Sequence, residues 1–292
     1  MAKPVFIHAG AHRTGTSSLQ LCLAENRSIL SCAGFDLAYP GRDDVPGGTL
    51  RLPLPRPRHG EKRIPQFADR IRRKLDRLSP GADRGLILSE ENIPGPMRHF
   101  YEGRFYPASA KRLRTLAAAL PNPPRHVLFV VRSYDDLYVS AHRKRAEDNA
   151  VDRFSDLVPQ FLAMDRGWPE LLAEIRDLLR PEQLTVLPYE RRGPSRQLLV
   201  RLLPQLGDTP LAEPAVAMNL SATDAALEAL QARYRAGQTL ARRQWRQVVQ
   251  DHAAQAQPRG FATFSTADRE RLRARYRADL ARLAAMPGIS LG

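Results

Sequence analysis

The sequence predicts an α/β fold, and two observations carry the prediction. Short apolar runs bounded by Gly, Pro and polar residues recur at positions 5–7, 35–39, 85–88, 127–131 and 184–187. Between them lie longer segments whose apolar residues repeat at helical spacing. Strands that alternate with helices in this way build a parallel sheet with helices on its faces. At 292 residues, 43% of them hydrophobic, the chain can bury a large core as one α/β domain or two small ones.

The first strand, Val5, Phe6 and Ile7, is followed by a turn containing Gly10 and Gly15 and then by a periodic segment from Thr16. Strand, glycine turn and helix N-terminus together make an anion cradle. The first helical turn has unpaired N–H groups, and the helix dipole adds partial positive charge there. The two glycines bracket four residues, as in the nucleotide-binding P-loop pattern, but Thr16 stands where that pattern requires lysine. The nearest cation is Arg13, inside the loop, and Thr14, Thr16, Ser17 and Ser18 supply hydroxyls around it. Such a loop suits one doubly substituted phosphate with a less charged neighbour better than a metal-bound triphosphate.

A helix is predicted over 16–31, with Leu19, Leu23, Ile29 and Leu30 repeating and Gly34 as its stop. Cys22 and Cys32 fall on it about 15 Å apart along the axis, so they read as reduced thiols of a cytoplasmic protein. Residues 35–39 form a short strand. Residues 40–65 are dense in Pro and Gly, which marks a long surface loop, either a lid over a site or a plain insertion. A basic helix over 66–78 sets Phe67, Ile71, Leu75 and Leu78 on one face. The strand at 85–88 ends at Ser89, Glu90, Glu91 and Asn92, so two carboxylates stand where open parallel sheets bind ligands; as plain turn residues they would be solvated caps. An aromatic patch (Phe100, Tyr101, Phe105, Tyr106) precedes a helix over 108–120.

The strand at 127–131 delivers Arg132, and Ser133 with Asp136 resembles a capping box that starts the next helix. Ser140 lies two helical turns beyond Ser133 and returns to the same face. A guanidinium from Arg132 and a hydroxyl from Ser140 can thus converge on one phosphate. Two helices over 150–181 and a strand at 184–187 lead to Tyr189 and Glu190, where the tyrosine ring either stacks on a purine or fills the core. A helix over 194–206 follows. Met218, Asn219 and Leu220 then precede a helix opening at Ala222, with Ser221 or Thr223 as its cap. The Arg-rich helices of the C-terminal part, 222–292, run over about 222–252, with a break near Gly237, and over 266–286; Arg259 and Gly260 lie between them.

Two of these stretches resemble the donor-binding motifs of sulfotransferases that use 3′-phosphoadenosine 5′-phosphosulfate. The loop with Arg13, Thr14, Gly15, Thr16 and Ser17 resembles the 5′-phosphosulfate loop. Arg132 followed by Ser140 after a Val-rich strand resembles the 3′-phosphate motif. The Ser89-to-Asn92 run and the Asn219-x-Ser221 step are similar to stretches of the bacterial members, in whose carbohydrate-acting representatives a glutamate of the first region deprotonates the acceptor, and the Tyr189–Glu190 pair resembles one of the family at large. The resemblance covers roughly residues 4–285.

It implies one domain, 1–292, with a P-loop-type three-layer sandwich: a parallel sheet of about five strands flanked by helices. It implies in-line transfer of a sulfuryl group to an acceptor hydroxyl, of a carbohydrate or another hydroxylated metabolite, without a metal. Glu91 (or Glu90) would take the acceptor proton, once partial desolvation suits its pKa to neutral pH. Arg13, Thr14, Gly15, Thr16, Ser17 and Ser18 would hold the 5′-phosphosulfate, and Arg13 would neutralise the leaving oxygen. Arg132 and Ser140 would hold the 3′-phosphate, Tyr189 would contact the adenine, and Arg259 with Gly260 would close over the 3′ end. A P-loop kinase or NTPase, and a relative that binds the bisphosphate without catalysis, are the alternatives.

The formal charge of +14, nearly all of it arginine, favours anionic partners: nucleic acid, acidic glycan, an anionic lipid surface or a nucleotide. Nucleic-acid binding explains the charge but neither motif. The longest apolar run, 127–131, is too short to span a membrane, and the apolar residues behind Lys3 are too few for a signal peptide or anchor. The seven histidines show no spacing of a metal site.

Overall fold

Strand β1 (Val5–His8) lies between β3 (Gly85–Ser89) and β4 (His126–Val131), with Ile7 opposite Leu88 on one side and Val127 on the other. Strand β2 (Phe35–Ala38) extends the sheet past β3, and β5 (Gln183–Pro188) and β6 (Ser290–Leu291) extend it past β4. The order is β2-β3-β1-β4-β5-β6 and every pairing is parallel. The computed structural model describes residues 3–215 and 221–292. The fold is α/β, one parallel sheet of six strands flanked by helices. The sixth strand, beyond the five expected, is two residues long and has no apolar run to announce it.

Successive residues of a strand point to opposite faces, so a strand covered on both faces reads as a continuous apolar run. Phe6, Ile87, Leu128 and Val130 pack against Leu19 and Leu23 of α1 (Thr16–Glu25) and Leu198 and Leu202 of α8 (Ser195–Leu202). Ile7, Leu88, Phe129 and Val131 face the other way. There they meet α3 (Ile64–Leu78), α4 (Ser109–Ala119), α5 (Tyr134–Ala146), α7 (Trp168–Leu179) and α11 (Thr266–Ala284). Helices α6 (Phe154–Leu162), α9 (Asp224–Arg235) and α10 (Arg242–Asp251) complete this side.

Several elements depart from expectation for visible reasons. The helix expected over 16–31 is two, α1 and α2 (Arg27–Cys32), joined at Asn26. The Asn26 amide donates to the carbonyls of Cys22 (2.8 Å) and Ala212 (2.9 Å) and accepts from the Ala212 N–H, which anchors a distant segment at the break. Cys22 and Cys32 thus sit on different helices, the first buried and the second exposed, and both are free. Burial pushes the Cys22 thiol up to about 12. The expected capping box of α5 is not made: Ser133 Oγ donates to the Asp136 carboxylate at 3.2 Å instead of accepting a backbone N–H. Thr223, not Ser221, caps α9, accepting from Ala226 N at 3.2 Å. The helix expected over 194–206 stops at Leu202, and Pro204 to Leu206 form a separate 3-10 turn.

Residues 40–65 lack regular structure before a short 3-10 turn at Glu61–Arg63, but they are not a detached insertion. Leu50 and Leu54 are buried in the main core. The buried Arg112 of α4 ties this loop to the end of β3, donating to the carbonyls of Pro55 (2.9 Å), Ile93 (3.0 Å) and Asn92.

Candidate functional site

The chain runs from β1 out to β2, returns through β3 and crosses to β4, so the sheet reverses direction beside β1. Ligands of open parallel sheets bind in the crevice at the carboxyl ends of strands at such a reversal. Residues following β1, β3, β4 and β5 line a cavity of about 470 Å³ there. That volume is within the range of about 300–1,000 Å³ typical of small-molecule sites.

The loop after β1 is shaped by two glycines. Gly10 (φ 104°) lies against the Glu91 backbone, where a Cβ would come 3.1 Å from Glu91 Cα. Gly15 (φ 85°) precedes α1, and a Cβ there would lie 2.8 Å from the Arg192 guanidinium carbon. Between them Arg13 has φ 61°, a left-handed conformation that costs a side-chain-bearing residue about 1–2 kcal/mol. Such strain persists only where the surroundings over-determine it, and it concentrates at ligand clamps. The first turn of α1 has no side-chain cap and no acidic residue, so it stays suited to an anion.

Arg13 and Arg132 meet at this loop. Arg132 Nη1 donates to the Arg13 carbonyl at 2.8 Å, and Arg13 Nε donates to Ser140 Oγ at 2.9 Å. The Arg132 guanidinium also stands 4.7 Å from the centroid of the Tyr189 ring. Tyr189 is 37% exposed at the cavity, so it is not a core residue. Arg132 is held from behind, because the Trp168 indole N–H donates to its carbonyl at 2.9 Å. Trp168 N in turn donates to Tyr134 Oη, which donates to Asp279. The Nε atoms of Arg132 and Arg192 are buried with no hydrogen-bond partner among the described residues.

Of the residues expected at the site, Arg13, Gly15, Thr16, Ser17, Ser18, Glu91, Arg132, Ser140 and Tyr189 line this cavity. Thr14 does not: it is fully buried, and its hydroxyl closes the loop on the Ala11 carbonyl at 2.6 Å. Thr16 Oγ1 reaches the same carbonyl at 3.3 Å. Ser17 Oγ donates to Asp43 at 2.7 Å. Arg259 and Gly260 are not brought to the cavity. The Arg259 N–H donates to Asp224, its guanidinium pairs with Glu228 at 3.1 Å, and Gly260 borders a different hollow. Ser221 lines the cavity, whereas Met218, Asn219 and Leu220 lie outside the described residues.

The two candidate carboxylates diverge. Glu90 is 1% exposed and is held by Arg42 Nη2 (3.0 and 2.8 Å) and by the Asn92 backbone and side-chain amides (2.9 and 3.2 Å). Glu91, its side chain 23% exposed, opens on the cavity, with His12 Nδ1 3.4 Å and Arg42 Nη1 3.5 Å from Oε1. Desolvation alone would raise the Glu91 pKa, the direction expected of a base, but His12, Arg42 and Arg13 outweigh it and hold the carboxyl at about 2. His12 Nε2 meanwhile lies 3.0 Å from the Gly95 carbonyl, so the ring bridges the loop after β1 to the segment after β3.

Arg42, Lys144 and Arg192 were missed. Lys144 lies one turn beyond Ser140 on α5, so its spacing signalled it. Arg42 and Arg192 sit in irregular segments whose path is set only by tertiary packing. Around the cavity, five cationic side chains (Arg13, Arg42, Arg132, Lys144, Arg192) face two carboxylates (Asp43, Glu91). Burial lowers the Arg13 pKa against the opposing fields of Glu147 and Glu91, so this guanidinium is poorly hydrated. Among the described residues no group of His, Cys, Asp and Glu could hold a metal, and no helix is long and apolar enough to cross a membrane.

No family model and no curated protein matches the chain. Among solved structures, a sulfotransferase from Alicyclobacillus acidocaldarius is similar over 98% of this chain and 96% of that one, at 17% identity and a TM-score of 0.43.

Proposed function

We propose that the chain is a sulfotransferase that takes a sulfuryl group from 3′-phosphoadenosine 5′-phosphosulfate and passes it to an acceptor hydroxyl. One observation carries the reading: Arg132 bonds the backbone of Arg13 while Arg13 bonds Ser140, so the two anion-binding motifs border one cavity. The orphaned Nε atoms of Arg132 and Arg192 fit a ligand with anionic groups at two ends.

In this reading Arg13, the first turn of α1 and Arg192 bind the 5′ end, Arg132 and Ser140 bind the 3′-phosphate, and the Tyr189 ring meets the purine. Ser140 accepts from Arg13 and still has its own O–H to donate. Thr16 in place of the P-loop lysine disfavours a metal-bound triphosphate. Glu91 is ionised at neutral pH and accepts the acceptor proton as the acceptor oxygen bonds to sulfur and the sulfur–phosphate oxygen bond breaks. Anions bound to Arg13 and Arg42 offset the positive charge that depresses Glu91, which raises its basicity when donor is present. Arg13 stabilises the negative charge left on the 5′-phosphate oxygen.

Calorimetry with adenosine 3′,5′-bisphosphate and no metal tests the reading. Saturable binding, tighter than that of 5′-AMP, is expected. Equal affinity for the two, or magnesium-dependent ATP turnover, would overturn it.

A further inference from the structure

We propose that the acceptor is itself anionic: a polyol or saccharide that carries oxyanion groups besides the hydroxyl to be modified. This rests on the transferase reading above. The observation is a second cavity of about 830 Å³ beside the first. The two share Arg42, and Glu90 lines one while its neighbour Glu91 lines the other. In this proposal a molecule seated in the second cavity extends past Arg42, which contacts both carboxylates, to Glu91.

Six arginines line that second cavity: Arg42, Arg56, Arg58, Arg98, Arg104 and Arg112. Its two carboxylates compensate only part of that charge. Glu90 is taken by Arg42 and Asn92, and Glu102 by His99 Nδ1 at 3.0 Å. Arg112 is spent on three backbone carbonyls. The side chains of Arg56, Arg58, Arg98 and Arg104 are exposed and form no hydrogen bond or ion pair with any described residue. Four unpaired forks around one hollow repel one another unless an anion bridges them, and the planar guanidinium suits carboxylate, sulfate and phosphate alike.

The lining favours a saccharide over nucleic acid. Single-strand sites interleave cations with aromatic platforms for bases, and among the described residues this cavity has no Phe, Tyr or Trp in its wall. Leu52, Leu54, Pro57 and Pro96 supply aliphatic faces instead.

The test titrates the full chain with tetragalacturonate, with its carboxyl-reduced neutral counterpart, and with a single-stranded oligonucleotide of equal charge. The charged tetramer is expected to bind at least about tenfold tighter than the neutral one. The combined variant Arg58→Ser, Arg98→Ser, Arg104→Ser should lose that preference while adenosine 3′,5′-bisphosphate affinity stays within about twofold, which also reports that it folds. Equal binding of charged and neutral tetramers, a preference retained by the variant, or an oligonucleotide bound as tightly as the uronate would overturn the proposal. Tetragalacturonate binding without bisphosphate binding would reject the nucleotide reading and leave the anion-selective cavity standing.

Discussion

Arg13 Nε donates to Ser140 Oγ at 2.9 Å across a sequence separation of 127 residues. This bond joins the loop after β1 to the middle of α5, and Arg132 joins the same loop through the Arg13 carbonyl. The proposed function rests on this pair of bonds, and it gives the three residues separable roles.

Replacing Arg132 by alanine removes a charge assigned to the 3′-phosphate. Hydrogen bonds to charged groups contribute about 1.5–3 kcal/mol, so bisphosphate affinity should fall about 10- to 100-fold. Affinity for 5′-AMP should change by less than about threefold. Calorimetry with both ligands reads the difference directly. Parallel losses would assign Arg132 to general packing against Tyr189.

Glu91→Gln should lower sulfuryl transfer by about 10²- to 10⁴-fold and leave bisphosphate binding intact. The same variant has a pH signature. Glu91 is depressed from 4.5 to about 2, so its stabilising contribution is complete above pH 4.5 and is lost as pH falls towards 2. The wild type should therefore be more stable than the variant at pH 7, and the gap should close over that acidic window. Denaturant titrations at a series of pH values would show it; a gap independent of pH would place the stabilisation elsewhere.

Gly15→Ala adds a Cβ in the left-handed region and 2.8 Å from the Arg192 guanidinium. The backbone cost is about 1–2 kcal/mol, and Arg192 must move from the loop. Weaker bisphosphate binding together with a lower unfolding midpoint is the expected result. An unchanged affinity would remove Arg192 from the 5′ end.

Arg112→Ala leaves the buried carbonyls of Pro55 and Ile93, and the half-buried one of Asn92, without their donor. An orphaned buried acceptor costs about 1–3 kcal/mol, and loss of the guanidinium also frees residues 40–65 from α4. Limited proteolysis should then cut within 40–65 at protease levels that leave the wild type whole.

The amino-acid order alone determined the layered α/β architecture, because buried strands and amphipathic helices leave opposite periodicities in the sequence. It also marked Arg13 in the loop after the first strand, Glu91 and Arg132 just past strand ends, and Ser140 two turns into a helix, through local motifs. The resemblance favoured Glu91 over Glu90, but what turns Glu90 from the cavity was not legible, because Arg42 from an irregular loop takes it. The same holds for Arg192, which reaches Gly15 only through the packing of the segment after β5. Arg259 and Gly260 fitted a family loop only loosely, and Asp224 and Glu228 hold that segment away from the cavity. Local spacing specifies what a strand or helix presents at its own ends. The partners that irregular segments bring to those ends, and the balance of charge they create there, are fixed only when the chain has packed.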